Sequence, residues 1–197
     1  NMKVVGVTGS NGKTSTKDIL ASVLAKHFIT QKTLGNFNNE IGVPLTLLSL
    51  SENCEAAVVE MGMENLQELS FLTQIVRPDI AIISNVGTAH LENLGTMENI
   101  ARAKMEITEG LGEHGLLIYN GDQQLLRNAA MLAAWYSNAR YSSSVPVNYC
   151  TIRQLKKIPG NKGSFVSLSN YKTIYIDPEP AQIQKLIDEH LITQKKH

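Results

Sequence analysis

Short apolar runs alternate with segments of helical period as far as Tyr141. Val4 to Val7, Ala56 to Val59, Ile80 to Ile83 and Leu116 to Tyr119 are continuous enough to read as strands buried on both faces. Between them, Thr14 to Phe28 places Ile19, Leu20, Val23, Leu24 and Phe28 on one helical face. Pro44 suits the first turn of a short helix ending near Leu50. Leu66 to Ile75 and Thr96 to Leu111 are the next two helices. This strand-helix alternation predicts an α/β fold, a mostly parallel sheet with helices on both faces. Beyond Tyr141 the pattern changes to short strands at Val147–Ile152, Ser164–Leu168 and Lys172–Ile176, with a turn at Ser169-Asn170 and a final helix over Glu179–Leu191. The expected organisation is an α/β core over about 3–141, followed by a small β-rich extension with its helix over about 142–197.

Composition narrows the class without changing that outline. With 43% hydrophobic and 18% charged residues in 197, the chain can bury one sizeable core. No apolar run is long enough to cross a membrane, so neither disorder nor membrane insertion is expected. Eighteen basic residues balance eighteen acidic ones, which gives no global field toward nucleic acid; a charged ligand has to be held locally. Cys54 and Cys150 are few and far apart, as free thiols in a reducing cytoplasm would be. Asn1 ahead of Met2 reads as a non-native leading residue, and the chain is expected to be a piece of a longer protein.

The strongest chemical signal is Thr8-Gly9-Ser10-Asn11-Gly12-Lys13-Thr14-Ser15-Thr16, set between the first strand and the first helix. Backbone N–H groups and a helix N-terminus enclose a phosphate only where glycines let the loop fold closely. The strict phosphate-loop pattern wants glycine where this chain has Val7, so Gly9 makes it a variant. Lys13 would reach the β- and γ-phosphates and Thr14 would ligate Mg²⁺.

Three further positions carry two readings each. Glu60 ends a buried strand at the sheet edge where ligands bind, either as a Mg²⁺ ligand or as the cap of the next turn. His90, in Asn85-Val86-Gly87-Thr88-Ala89-His90-Leu91-Glu92, projects from the same edge as a ligand or as an ordinary loop histidine. Lys104 stands four after Ile100 and three before Ile107 on an inward helical stripe. It either snorkels or pairs with an acid such as Glu60, or is a desolvated amine that takes up CO₂ as a carbamate. Asn120-Gly121-Asp122 would hold adenine or ribose, or is only a turn.

In order and spacing, TGSNGKTST, GNFNNEIGVPLTLL, VVEMG, NVGTAHLENLG, ARAKMEI and YNGD resemble the Mur ligases that build peptidoglycan precursors. GNFNNEIGVPLTLL and the AHLE form around His90 are similar to the type that joins D-alanyl-D-alanine to UDP-N-acetylmuramoyl-tripeptide, with the MurE or folylpolyglutamate synthase type as the alternative within the resemblance. The likeness runs from Val4 to about Leu126. It implies an ADP-forming amide ligase of the cytoplasm, with ATP on Gly9, Ser10, Asn11, Gly12, Lys13, Thr14 and Ser15 and its nucleoside near Asn120 and Asp122. Thr14 and Glu60 would hold one Mg²⁺, and His90 with a carbamylated Lys104 a second. Asn36, Asn38 and Asn39 would face the muramoyl-peptide. The family's flanking domains, one for the uridine nucleotide and one for the incoming amine, are not expected within these residues, so the segment alone should not ligate. A reading from another class is a nucleotide-binding module of regulatory or assembly role, with Glu60 and His90 structural.

Overall fold

A computed structural model describes residues 2–112 and 115–140. The strands expected at 147–152, 164–168 and 172–176, the helix at 179–191 and Cys150 lie outside the described residues.

Five strands form one parallel sheet in the order β2-β3-β1-β4-β5: β1 Lys3–Thr8, β2 Thr30–Lys32, β3 Ala56–Glu60, β4 Ile80–Ile83 and β5 Leu116–Tyr119. The chain passes from β3 to β4 across β1, so the carboxyl end of β1 is the point where such a sheet opens a ligand crevice. In β1 and β3 nearly every position is buried, as continuous Val and Ala runs require when both faces are covered. The register sets Val7 beside Glu60 and Thr8 beside Ile83, which brings three strand ends to one level.

The helices are α1 Lys13–Leu24, α2 Gly42–Leu48, α3 Glu68–Val76, α4 Leu91–Leu94, α5 Met97–Met105 and α6 Gln124–Arg140. On one side of the sheet α1 packs Ala21, Leu20 and Leu24 against Val5, Val7 and Val58. The larger cluster on the other side includes Leu69 and Leu72 of α3, Ile100 and Ala103 of α5, and Leu126 and Ala130 of α6. Helices on both faces therefore match the sequence expectation. Among the described residues no helix is long and apolar enough to cross a membrane.

Two helices differ from their apolar patterns, each for a tertiary reason. In α1 the predicted face is kept at Leu20 and Leu24 but turned elsewhere: Ile19 is 67% exposed, Val23 and, past the helix end, Phe28 are also exposed, and Lys17 is buried with Ala21. Apolar packing places Leu20, Ala21 and Leu24 on the sheet, and Lys17 can join them because its ammonium finds a buried partner at Glu60, an outcome invisible to hydropathy. The helix from Thr96 is broken. The Thr96 hydroxyl caps α5 by accepting from the Asn99 N–H, but α5 ends at Met105 and a 3₁₀ turn runs over Glu106–Gly110. That turn is pulled onto α3. The Thr73 hydroxyl donates to Ile107 O, and the Glu106 carboxylate accepts from the N–H groups of Gln67 and Ser70. Periodicity gave no sign of β2 and α4, nor was α6 foreseen after the Asn120 turn.

Gly110 shows how close α3 and the 3₁₀ turn approach. A Cβ there would lie 2.2 Å from the Thr73 carbonyl oxygen, an atom that cannot give way without opening α3. Gly110→Ala is expected to destabilise the fold by roughly 1–3 kcal/mol, read as a lower thermal midpoint with no direct effect on nucleotide contacts.

Candidate functional site

The site forms where β1, β3 and β4 end. After Thr8 the chain turns through Gly9 at φ +149° and Gly12 at φ +78° and enters α1 at Lys13. The loop does not hold its shape alone. Ser10 N–H donates to Asn85 O at 3.0 Å and Asn11 N–H to Asn85 Oδ1 at 2.8 Å. The Ser84 hydroxyl donates to Asn11 O at 2.6 Å, and Gly87 N–H donates to the Ser10 hydroxyl at 2.9 Å. The segment after β4 is therefore a clamp on the phosphate loop. It is itself latched by Gln123: the Val86 N–H donates to Gln123 Oε1, and the Gln123 amide donates to Val86 O, both at 2.7 Å. Sequence reasoning missed Ser84 and Gln123 as site residues. Only their position after consecutive strand ends could have drawn notice.

Lys13 donates from Nζ to Gly9 O at 2.8 Å, so its ammonium already lies over the loop. One helical turn on, the Lys17 ammonium stands 3.5 Å from Glu60 Oε2. Glu60 is 2% exposed; its Oε1 accepts from the Asn38 amide at 2.9 Å, and its backbone N–H donates to the Thr33 hydroxyl at 3.0 Å. Oε2 has the ionic contact with Lys17 but no hydrogen bond, which leaves a buried carboxylate oxygen with free acceptor capacity beside the phosphate loop. Met61 N–H donates to Val7 O at 2.8 Å and ties this end of β3 to the strand that leads into the loop.

Lys104 is 1% exposed on α5. Burial, and secondarily the charge of Lys13, lower its amine from 10.5 to about 8. Among the described residues no carboxylate lies within ion-pair distance of it, and the pairing with Glu60 weighed from the sequence is taken by Lys17 instead. Since the folded value lies below the unfolded one, the unfolded chain binds more protons between about pH 8 and 10.5, and stability rises with pH across that window. Lys104→Met should flatten that rise, of the order of 3 kcal/mol, in denaturant midpoints measured from pH 7 to 11.

His90 is half-buried at φ +66° and opens α4. The Asn39 side-chain oxygen accepts from the N–H groups of Ile41 and Gly42 and caps the start of α2, while Asn36 is exposed. Asn120 Oδ1 accepts from the Asp122 N–H at 3.0 Å, which is the turn geometry foreseen as one of two readings there. Among the described residues no three His, Cys, Asp or Glu side chains converge as a metal-binding group.

The glycine loop is thus clamped by the neighbouring strand end, with a buried acid level with its root. A family model, the Mur ligase middle domain, matches residues 7–173. The chain belongs to the Mur ligase family. The Bacillus subtilis UDP-N-acetylmuramoyl-tripeptide--D-alanyl-D-alanine ligase is 54% identical over 127 residues, which cover 64% of this chain and 28% of the relative. The chain thus spans little more than a quarter of that Mur ligase. Among solved structures, MurF from Acinetobacter baumannii is 38% identical with a TM-score of 0.65, covering 68% of this chain and 30% of the other. MurF ligase from Thermotoga maritima, in complex with ADP, is 42% identical with a TM-score of 0.61, covering 64% of this chain and 30% of the other. A folylpolyglutamate synthase of L. casei at 14% identity and TM-score 0.53 shares the fold alone.

Proposed function

We propose that this Mur ligase middle domain binds ATP and serves the joining of D-alanyl-D-alanine to UDP-N-acetylmuramoyl-tripeptide, in the cytoplasm where both nucleotides are found. The observation that carries the reading is the convergence of the clamped Gly9–Thr14 loop and the buried Glu60 at one strand edge. The 54% identity to a ligase of that specificity over 127 residues supports it over other phosphate-loop chemistries.

In this reading the tripeptide carboxylate attacks the γ-phosphorus of ATP, giving an acyl phosphate and ADP. The dipeptide amine then attacks the acyl carbon and inorganic phosphate leaves. Such a transfer needs alignment and charge neutralisation rather than a protein nucleophile. The N–H groups at the N-terminus of α1 hold the phosphates, those of Ser10 and Asn11 being held by Asn85, and Lys13 balances charge that develops on the β–γ bridge. Gly9, Ser10, Asn11, Gly12 and Ser15 complete the cradle, with Asn120 and Asp122 beside the nucleoside and Asn36, Asn38 and Asn39 beside the muramoyl-peptide.

The residues present fit Mg²⁺. It favours oxygen ligands and takes one or two carboxylates together with substrate phosphates, so three converging acids are not required. Glu60 offers an oxygen without a hydrogen bond, and the Thr14 hydroxyl is exposed at the start of α1. When bound, the metal neutralises the phosphate oxygens. His90 and Lys104 would hold a second ion, Lys104 as a carbamate. A buried amine near pKa 8 keeps a larger unprotonated fraction at neutral pH than an ordinary lysine, and only that form adds to CO₂, releasing one proton. With isotopically labelled bicarbonate, a carbamate resonance is expected in the native protein and not in Lys104→Met. Its absence from both at saturating bicarbonate and Mg²⁺ would remove the carbamate from this account.

The function is tested on the full-length protein that carries this chain. Mg²⁺-dependent phosphate release should require both the uridine-linked tripeptide and D-alanyl-D-alanine. Equal ATP hydrolysis without any carboxylate substrate would instead favour a nucleotide-driven module of regulatory or assembly role.

A further inference from the structure

Lys17 is a buried cation that the reaction outlined above does not use. Its side chain is 3% exposed and that of its partner Glu60 2%, so the pair is desolvated almost completely. An isolated charge at either position would be costly, and each needs the other. A second carboxylate, Asp18, lies 3.6 Å from the Lys17 ammonium but is held more closely by Lys32 at 2.8 Å. Glu60 is therefore the chief counter-charge of Lys17.

The third neighbour gives the pair a direction. Lys17 Nζ donates to Gly35 O at 3.4 Å, where the chain begins its turn toward Asn39. That same segment returns to Glu60, because the Asn38 amide donates to Oε1 and Asn38 O accepts from the Gly62 N–H at 2.7 Å. Lys17 and Lys13 are four apart on α1 and so project from the same side of the helix. One ammonium thus touches both ends of an arrangement in which Gly35 to Asn39, Glu60 and the root of the phosphate loop are joined.

We propose that Lys17 is a positioning residue that fixes the Glu60 carboxylate and the Gly35–Asn39 segment against each other, so that the metal-ligating acid and the acceptor-substrate segment are set together. This rests on the roles given to Glu60 and to that segment under the proposed function, and the test separates the two. In the full-length protein, thermal unfolding in chelator-treated buffer is measured for Lys17→Met, Glu60→Gln and the double variant. Each single change leaves one buried charge without its partner and should lower Tm by several degrees, while the double, with neither charge, should recover much of that loss. Additive losses would overturn the pairing, and this arm needs no enzymatic activity.

The second arm is kinetic. Lys17→Met should raise KM for the uridine-linked tripeptide about tenfold and move KM for ATP by less than about twofold. A residue that merely stabilises the fold would reduce the active fraction, lowering kcat with both KM values unchanged, and that result would overturn the positioning role. Should Lys17→Met fail to fold, Lys17→Arg keeps the charge with a different donor geometry. It should restore Tm yet retain a raised KM for the tripeptide; a native KM in this variant, with Lys17→Met unfolded, counts against the proposal. If the native protein shows no tripeptide-dependent turnover, the functional reading fails while the unfolding cycle still reports on Lys17 and Glu60.

Discussion

Lys13→Ala in the full-length protein is expected to lower tripeptide-dependent phosphate release by about a thousandfold or more, with the fold intact. The lysine is half-buried and the only hydrogen bond of its side chain among the described residues runs to a carbonyl of its own loop, Gly9 O, so little of the described core depends on it. What depends on it is charge. In the proposed reaction the first step concentrates negative charge between the β- and γ-phosphates, and a fixed cation there outweighs the same cation free in solvent because it costs no reorganisation. Lys13→Ala also removes the charge that helps to hold the Lys104 amine low, so the Lys104 value should rise somewhat, measurable by titration of labelled lysine. Kinetics that show native kcat in Lys13→Ala would be incompatible with the phosphate-loop assignment.

Gly9→Ala should be nearly as damaging, by a different route. At φ +149° an L side chain is strained, and a Cβ would fall 1.9 Å from Ser84 Oγ and 3.2 Å from the Asn85 N–H nitrogen. Ser84 can rotate away only by giving up its donation to Asn11 O, and the Asn85 backbone cannot move without disturbing Ser10 and Asn11. The loop would open rather than accommodate the methyl. The expected result is a loss of ATP affinity of at least about a hundredfold by calorimetry, with a modest fall in Tm, since the affected contacts lie at the rim of the core. Native nucleotide affinity in Gly9→Ala would mean that the loop closes over phosphate in another conformation.

The Ser84 clamp and the Gln123 latch bear on both variants. They connect the phosphate loop to the ends of β4 and β5, so the contacts proposed for nucleoside near Asn120 and for phosphate near Lys13 would belong to one hydrogen-bonded unit. Asn38 stands in two roles in a similar way. Its amide is engaged with Glu60, so a muramoyl-peptide contact proposed for it would use the rest of the Gly35–Asn39 segment or a rearranged amide.

Local sequence determined the elements whose cause is local. Continuous Val, Ile and Ala runs read as strands covered on both sides, and glycines ahead of Lys-Thr let a tight loop turn into a helix start. The four longest strands, their parallel arrangement and the phosphate loop were legible for that reason. Three-residue β2 carries too short a pattern to register, and its place beside β3 is set by pairing alone. The face of α1 was misread because hydropathy counts Lys17 as polar and Ile19 as apolar, whereas burial depends on whether a charge finds its opposite. The helix after Thr96 was read too long because its last turn is decided by Glu106 and Thr73 reaching across to α3. At the site the division is the same. The sequence by itself named Lys13, Glu60 and Lys104 as chemically unusual residues. Only the tertiary structure decided that Glu60 pairs with Lys17, leaving Lys104 buried with no carboxylate in ion-pair reach among the described residues. Charge pairing acts through space over a few ångströms, and residues 43 positions apart become neighbours only when β1 and β3 lie side by side.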